Sequence, residues 1–302
     1  MSIFLHHAAS ISQFNNADAW VVLSKDEQII KQKIEKVGIP LKDWDIQINY
    51  GIKTGFNEAF IIDGKTKDAL LAQDPNCREI IRPILRGKDI KKYTAEFADL
   101  WLIATHNGIK SKEIPRIDVE KDYPSVFEHL KQYQTELQAR QDKGDHWTNL
   151  RNCAYWYEFE SPKVVWQELS RTGNAFCYLE EVALVNNTVF IMTSCSNEDL
   201  KYITAILNSK ISLFYLETVY NKLDETGWRW FKMAVEQIPI PRITDFLRGE
   251  IIDLVDEIQQ NLKLNLEAFH LIEDLEKSIF GIYDFDSIDI EVLTAKLPEM
   301  PN

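Results

Sequence analysis

The order of apolar and polar positions divides the chain into a mixed α/β body and a helical tail. Ser24 to Val37 is predicted as a helix, with Ser24 as cap, Glu27 completing a capping box and Gly38-Ile39-Pro40 as the stop. Asp45–Asn49 and Ala59–Asp63 are short and alternating. They predict two strands flanking the Gly-bounded loop Gly51-Ile52-Lys53-Thr54-Gly55-Phe56-Asn57-Glu58. An apolar and basic run, Ile80 to Ile90, precedes a predicted strand at Leu100–Thr105. Val126, His129, Leu130, Tyr133 and Leu137 recur at helical spacing, which predicts a helix from Tyr123-Pro124 to Arg140. Lys163–Leu169, Ala175–Leu184 and Thr188–Thr193 are rich in β-branched and aromatic residues and predict strands, with Asn186-Asn187 as a turn. Leu200–Tyr220 is predicted helical, whereas Ile238-Pro239-Ile240-Pro241 cannot be. From Ile243 to Phe280 the pattern changes to long amphipathic helices. Leu247, Ile251, Leu254 and Ile258 mark one face, and Leu262, Leu266, Phe269 and Ile272 continue it. The expected organisation is α+β: a helical lead-in at 1–45, a mixed α/β body at 46–242 and a helical tail at 243–302.

Charge sharpens this division. The net charge is −13, but 14 acidic residues against 4 basic ones lie between Asp245 and Asn302. The preceding 244 residues carry 30 basic against 33 acidic, so the body is nearly neutral and the tail acidic. Arg78–Lys92 holds six basic residues against Glu79 and Asp89, a run that calls for a reason if it lies on a helix. Net charge therefore does not exclude a nucleic-acid partner. With no apolar run of about 18 residues and no basic-then-apolar leader, a membrane span is not expected and the cytoplasm is the default location. Cys77, Cys153, Cys177 and Cys195 form no CxxC pair and read as buried apolar fillers. The six histidines form no metal-binding pattern.

No GxGxxG, GxxxxGK[ST] or GxSxG motif occurs, and no nucleophile, base and orienting group come together. Glu158, Glu160 and Lys163 come near a nuclease pattern, but an acidic strand edge explains them better. A recognition or scaffolding module is the expectation, with no catalytic residue, metal site or cofactor in this chain. Basic and aromatic residues gather in expected loops: Arg140, Lys143, Trp147, Asn149 and Arg151 around Gly144, and Trp228, Arg229, Trp230 and Lys232 before the prolines. Basic groups hold phosphates, while Arg and Asn read base edges. Lys53 and Thr54, with Asn57, are further candidate contacts, as are Arg86, Lys88, Lys91 and Lys92. For each the alternative is structural: a core or rim tryptophan, a solvated charge, or a tight hairpin made by Gly51 and Gly55.

A series of local patterns in fixed order carries a resemblance. It runs from Ile48-Asn49-Tyr50-Gly51 through Phe60-Ile61-Ile62-Asp63 to Ile84-Leu85-Arg86-Gly87-Lys88-Asp89-Ile90. Asp122-Tyr123-Pro124, Arg140-Gln141-Asp142-Lys143-Gly144 and Asn149-Leu150-Arg151 follow. Ala205-Ile206-Leu207-Asn208-Ser209-Lys210, Glu236-Gln237-Ile238-Pro239-Ile240-Pro241 and Ile279-Phe280-Gly281-Ile282-Tyr283 complete it. Over roughly residues 40–290 the chain resembles the TaqI-like C-terminal specificity domain of type IIG restriction-modification enzymes and related adenine-N6 DNA methyltransferases. The resemblance implies a target recognition domain at 46–242 that clamps duplex DNA while a separate methyltransferase domain flips the adenine. The glycine-rich cofactor motif and the (N/D)PP(Y/F) motif of that domain are absent here, as is a nuclease domain. S-adenosylmethionine and Mg are therefore expected in a catalytic partner. Motif residues are expected to be scaffold, with base readers in the irregular stretches between them. A second expectation is a protein-interaction subunit of a phage-defence complex that does not itself touch DNA.

Overall fold

The computed structural model describes residues 23–109, 112–220 and 227–297. The first 22 residues of the expected lead-in and the last five of the tail lie outside them. The architecture is α+β, with two four-stranded sheets and helices before, between and after them. The first sheet is antiparallel throughout, in the order Phe176–Leu179, Lys163–Gln167, Val189–Ser194, Ile46–Tyr50. The second runs Leu184–Val185, Ile81–Leu85, Leu100–Ile103, Ile61–Asp63, with only its first pair parallel.

Strand alternation in the first sheet divides its side chains between two cores. Ile48, Val164, Trp166, Phe176, Tyr178, Phe190 and Met192 face the larger core. Val165, Cys177, Val189 and Ile191 face the smaller one, shared with the second sheet. Both faces of the strands at Lys163, Phe176 and Val189 are covered, so these read as nearly continuous apolar runs, whereas Ile46–Tyr50 at the far edge alternates. On the larger-core face the register aligns Phe176, Trp166, Phe190 and Tyr50 in a row across all four strands. Neighbouring ring centroids are 5.3, 5.3 and 4.4 Å apart. Aromatic neighbours of this kind stabilise a sheet beyond the area they bury. Trp230 packs edge-on against Phe176 at 5.2 Å, and Trp166 Nε1 donates to the Trp230 carbonyl at 2.8 Å.

Helices close the larger core. Lys25–Val37 forms as expected, with the Ser24–Glu27 capping box in place and Ile30 and Ile34 buried. Its next strand, Gly38–Pro40, pairs with Pro239–Pro241, tying the two ends of the body together. The stretch expected as one helix from Leu200 is two, Asn197–Leu207 and Lys210–Val219. The break has a local cause: Asn208 turns its amide onto the edge strand, donating to the Phe176 carbonyl and accepting from its N–H, while Ser209 caps the second helix. The 123–140 helix likewise divides into Pro124–Lys131 and Gln134–Ala139.

Other expectations are corrected. The strands flanking the Gly51–Glu58 loop do not form a hairpin; one lies in each sheet. Residues 57–60 are a helical turn, so the second strand shortens to Ile61–Asp63. The Arg78–Lys92 run is not a helix, because Pro83 and Gly87 interrupt it. It forms the strand Ile81–Leu85, the turn Gly87–Asp89 and half of a two-stranded hairpin. In the tail, Asp245–Lys263 and Phe269–Ile282 are separate helices. Asn265 adopts a left-handed conformation (φ 55°) that stops the first. The expected continuous stripe is broken there: Leu266 and Phe269 are exposed, and Leu271, Leu275 and Ile279 form the new buried face. Leu247, at the start of the tail, is also exposed. Cys77 and Cys177 are buried fillers, but Cys195 is exposed and donates to Asp45. No helix among the described residues is long and apolar enough to cross a membrane.

Burial sets the alkaline behaviour. It pushes the Cys153 thiol up to about 11, Cys177 to about 12, and the Tyr155 and Tyr178 phenols to about 12. The unfolded chain releases these protons from pH 9 or 10 and the folded chain retains them, so this stability is lost as pH rises. Lys163 works in the other direction, since burial lowers its ammonium to about 8. The thermal midpoint is expected to rise slightly from pH 8 to 9 and then fall steadily to pH 11. A midpoint that is flat over that last interval would contradict this account.

Candidate nucleic-acid interface

The two sheets meet at Gly51, where the strand Ile46–Tyr50 leaves the first sheet. Gly51 N–H donates to the Val189 carbonyl (2.8 Å), and Ile52 N–H to Val185 (2.7 Å). Asn186 N–H donates to Leu85, and its side-chain oxygen accepts from the Thr188 hydroxyl. That hydroxyl in turn accepts from Gly87 N–H at 3.0 Å, and the Thr188 carbonyl accepts from Glu168 N–H. The Glu168 carbonyl accepts from Trp230 N–H. Irregular segments around residues 51, 87, 168, 187 and 230 are thus joined in series by hydrogen bonds. Loops are free to vary while the sheets behind them stay fixed, which suits recognition.

A second group adjoins the first through the 51–57 loop. The Arg140 guanidinium is buried and donates to the carbonyls of Thr54, Trp147 and Asn149. It also stacks over the Phe60 ring, 4.5 Å from the centroid. Burial lowers its pKa to about 10, so it remains a cation at neutral pH. Asp142 sits between Lys53 (2.7 Å) and Arg151 (3.0 Å), whose charges hold its carboxyl below the usual range.

The thirteen sequence candidates therefore separate into two groups. Seven are engaged in the structure itself. Thr54 is buried and caps its own loop through Asn57 and Phe56 N–H. Arg86 grips Asp89 in a bidentate pair at 2.9 and 2.8 Å. Arg140 is the staple just described. Asn149 is buried and donates to the Ile117 carbonyl. Trp147 is half-buried against Phe127 and His146. Trp228 is buried, with its indole N–H on Glu217. Lys92 is half-buried beside Glu276 of the tail, and its burial lowers the ammonium pKa against the pull of that carboxylate.

Lys53, Lys88, Lys91, Lys143, Arg151 and Arg229 remain exposed. Lys53 and Arg151 share Asp142, and Lys143 follows it in the chain. Arg229 pairs with Glu168, which places it on the 168 segment. The Lys88 and Lys91 side chains make no hydrogen bond or ion pair with another described residue, although the Lys91 backbone pairs with Thr94. Arg171 is a cation that sequence reasoning missed. It is exposed, unpaired among the described residues, and one residue from the Ser170–Trp228 strand pair. A single arginine within Ser170-Arg171-Thr172-Gly173 forms no cluster, and its irregular setting was the only available signal.

Glu158, Glu160 and Lys163 do not form a site. Glu158 accepts from Asn49 and Thr193, and Glu160 lies 3.9 Å from Arg82. Lys163 is buried on the carbonyls of Phe159, Ser161 and Glu181. The two carboxylates stand on a 3-10 turn, Trp156–Glu160, rather than on a strand edge.

Fold and loops together define an α+β module with a cationic junction between two sheets. The chain belongs to the TaqI-like C-terminal specificity domain family, whose model matches residues 82–240. That span is narrower than the expected resemblance and excludes the Gly51 loop. The fold is similar to that of the type IIL restriction-modification enzyme MmeI, solved in complex with DNA (TM-score 0.60, 12% identity, covering 85% of this chain and 35% of that one). It is also similar to the type IIG restriction endonuclease BpuSI (TM-score 0.53, 14% identity, covering 86% of this chain and 33% of that one). The chain thus spans about a third of the length of either enzyme. No curated protein sequence matches it.

Proposed function

We propose that this chain is the DNA sequence-recognition module of a type II or IIG restriction-modification system. It positions duplex DNA for adenine-N6 methylation or cleavage by a catalytic domain or subunit supplied elsewhere. That partner holds S-adenosylmethionine and Mg, and this chain contributes no reacting group. The observation that carries the reading is the cationic junction: Lys53, Lys88, Arg151 and Arg171 on loops and turns, and Arg229 on the short strand beside Leu169, stand on segments tied together at the meeting of two sheets, in a chain of the specificity-domain family. Phosphate contacts from such residues set register, and base contacts from the same loops set sequence.

Duplex binding by the full chain is expected to weaken steeply with salt, because each phosphate contact releases counterions. Charge reversal at Lys53, Lys88, Arg151 and Arg171 together is expected to lower affinity at least tenfold. The log–log salt slope should flatten by about one for each phosphate contact removed. Fluorescence anisotropy over a salt series reads both quantities. Affinity that ignores salt and these four residues would instead favour a protein-interaction subunit whose partner alone touches DNA.

A further inference from the structure

Among the described residues, Asp142 is the carboxylate paired with the Lys53 and Arg151 cations beside Arg140. One carboxylate oxygen accepts from Lys53 Nζ at 2.7 Å and the other from Arg151 Nη1 at 3.0 Å. Both cations are half exposed, at 52% and 53%, while Asp142 is 24% exposed. Lys143 follows it and donates to the Gln138 carbonyl. Arg140 lies two residues before, hydrogen-bonded only to carbonyl oxygens, and its buried Nε has no partner among the described residues. Two cationic side chains, Lys53 and Arg151, therefore share one anion.

The backbone keeps this arrangement in place. Gly55 is left-handed (φ 73°), and a Cβ there would lie 2.8 Å from the Asp142 carbonyl oxygen and 3.1 Å from its Cβ. Arg140 bonds the Thr54 carbonyl on one loop and the Trp147 and Asn149 carbonyls on the other. The bases of Lys53 and Arg151 are therefore held together whatever their side chains touch. Half-exposed ion pairs are weak, so each cation can exchange the carboxylate for another anion by side-chain rotation. A phosphodiester presents two acceptor oxygens to such a pair, as the carboxylate does.

We propose that Asp142 is an intrachain competitor of DNA phosphate that occupies Lys53 and Arg151 and restrains binding to non-specific duplex. The inference rests on the reading above that the chain binds duplex DNA. Sequence-independent phosphate attraction supplies most non-specific affinity. A repulsive element placed inside the contact suppresses partners whose other contacts do not compensate.

The test uses the full chain and a random-sequence 30-bp duplex, with anisotropy read over a salt series. D142N is expected to tighten binding about tenfold and to steepen the log–log salt slope by about one. In a K53A/R151A background the same substitution should change affinity less than twofold, because no cation is left to release. D145N, which removes an exposed carboxylate three residues on, should also stay within twofold. D142S repeats the charge removal with a smaller side chain should thermal melting show D142N misfolded. The proposal is overturned if K53A and R151A weaken binding while D142N and D142S leave it unchanged or weaker. It is overturned equally if D142N tightens binding as much in the K53A/R151A background as in the parent. Absence of salt-sensitive binding by the unsubstituted chain would instead overturn the DNA-recognition reading itself.

Discussion

Arg140→Ala is expected to destabilise the chain by about 3–5 kcal/mol, measured as a shift in urea midpoint at constant slope. The guanidinium is 8% exposed and satisfies three carbonyls, two of them at 3.0 and 2.6 Å. Each buried acceptor left without a donor costs about 1–3 kcal/mol, and the vacated space over Phe60 adds a cavity cost. The individual costs do not add fully, because the 51–57 and 147–149 loops can relax apart. Relaxation would separate Lys53 from Arg151, so DNA affinity should fall with stability. Arg140→Lys should recover less than half of the loss. An ammonium is a point donor and does not reproduce the planar fork that reaches both loops. A loss below about 1 kcal/mol would show that the carbonyls find other donors and that the staple is dispensable.

Gly51→Ala is expected to cost about 3 kcal/mol, at the upper end for overpacking, and to lower the thermal midpoint accordingly. A Cβ at this position would lie 2.0 Å from the Asn186 carbonyl oxygen, 2.6 Å from its carbon and 2.7 Å from the Val185 oxygen. All three are backbone atoms, and no side chain can rotate to make room. The backbone cannot yield easily either, since Ile52 N–H bonds Val185 and Asn186 N–H bonds Leu85 at this point. Gly249 is the internal control. It lies within the helix Asp245–Lys263 with nothing within 4 Å of an added Cβ. Gly249→Ala should therefore stabilise by about 0.5–1 kcal/mol. Opposite signs from one substitution type would separate close approach from helix propensity. Equal signs would contradict the crowding at Gly51.

The candidate site was legible in kind more than in detail. Loops around Gly51, Arg86, Gly144 and Trp228 were visible as Gly-rich, basic and aromatic interruptions of the apolar pattern. What each side chain does there was not. Arg86 too was read as a candidate contact, although its partner Asp89 lies only three residues on in the same turn. Arg140 finds one of its carbonyls 86 residues earlier in the chain, at Thr54. Asn149 reaches back to Ile117, and Lys92 approaches the tail at Glu276. A cation read in isolation looks like a contact for an anion. Only its neighbours show whether it is already satisfied.

The sequence by itself determined the elements whose causes are local. The Ser24 capping box made the first helix, and the 3.6-residue stripe made Asp245–Lys263. The prolines at 239 and 241 excluded a helix there, and the apolar runs at Lys163 and Val189 made strands covered on both faces. Tertiary structure decided which strands pair, because a strand's pattern does not name its partner. The two strands around Gly51 read as neighbours, yet they went to different sheets and created the junction. It also decided which of the thirteen polar candidates stay exposed, since burial and hydrogen bonding depend on segments brought close only by folding.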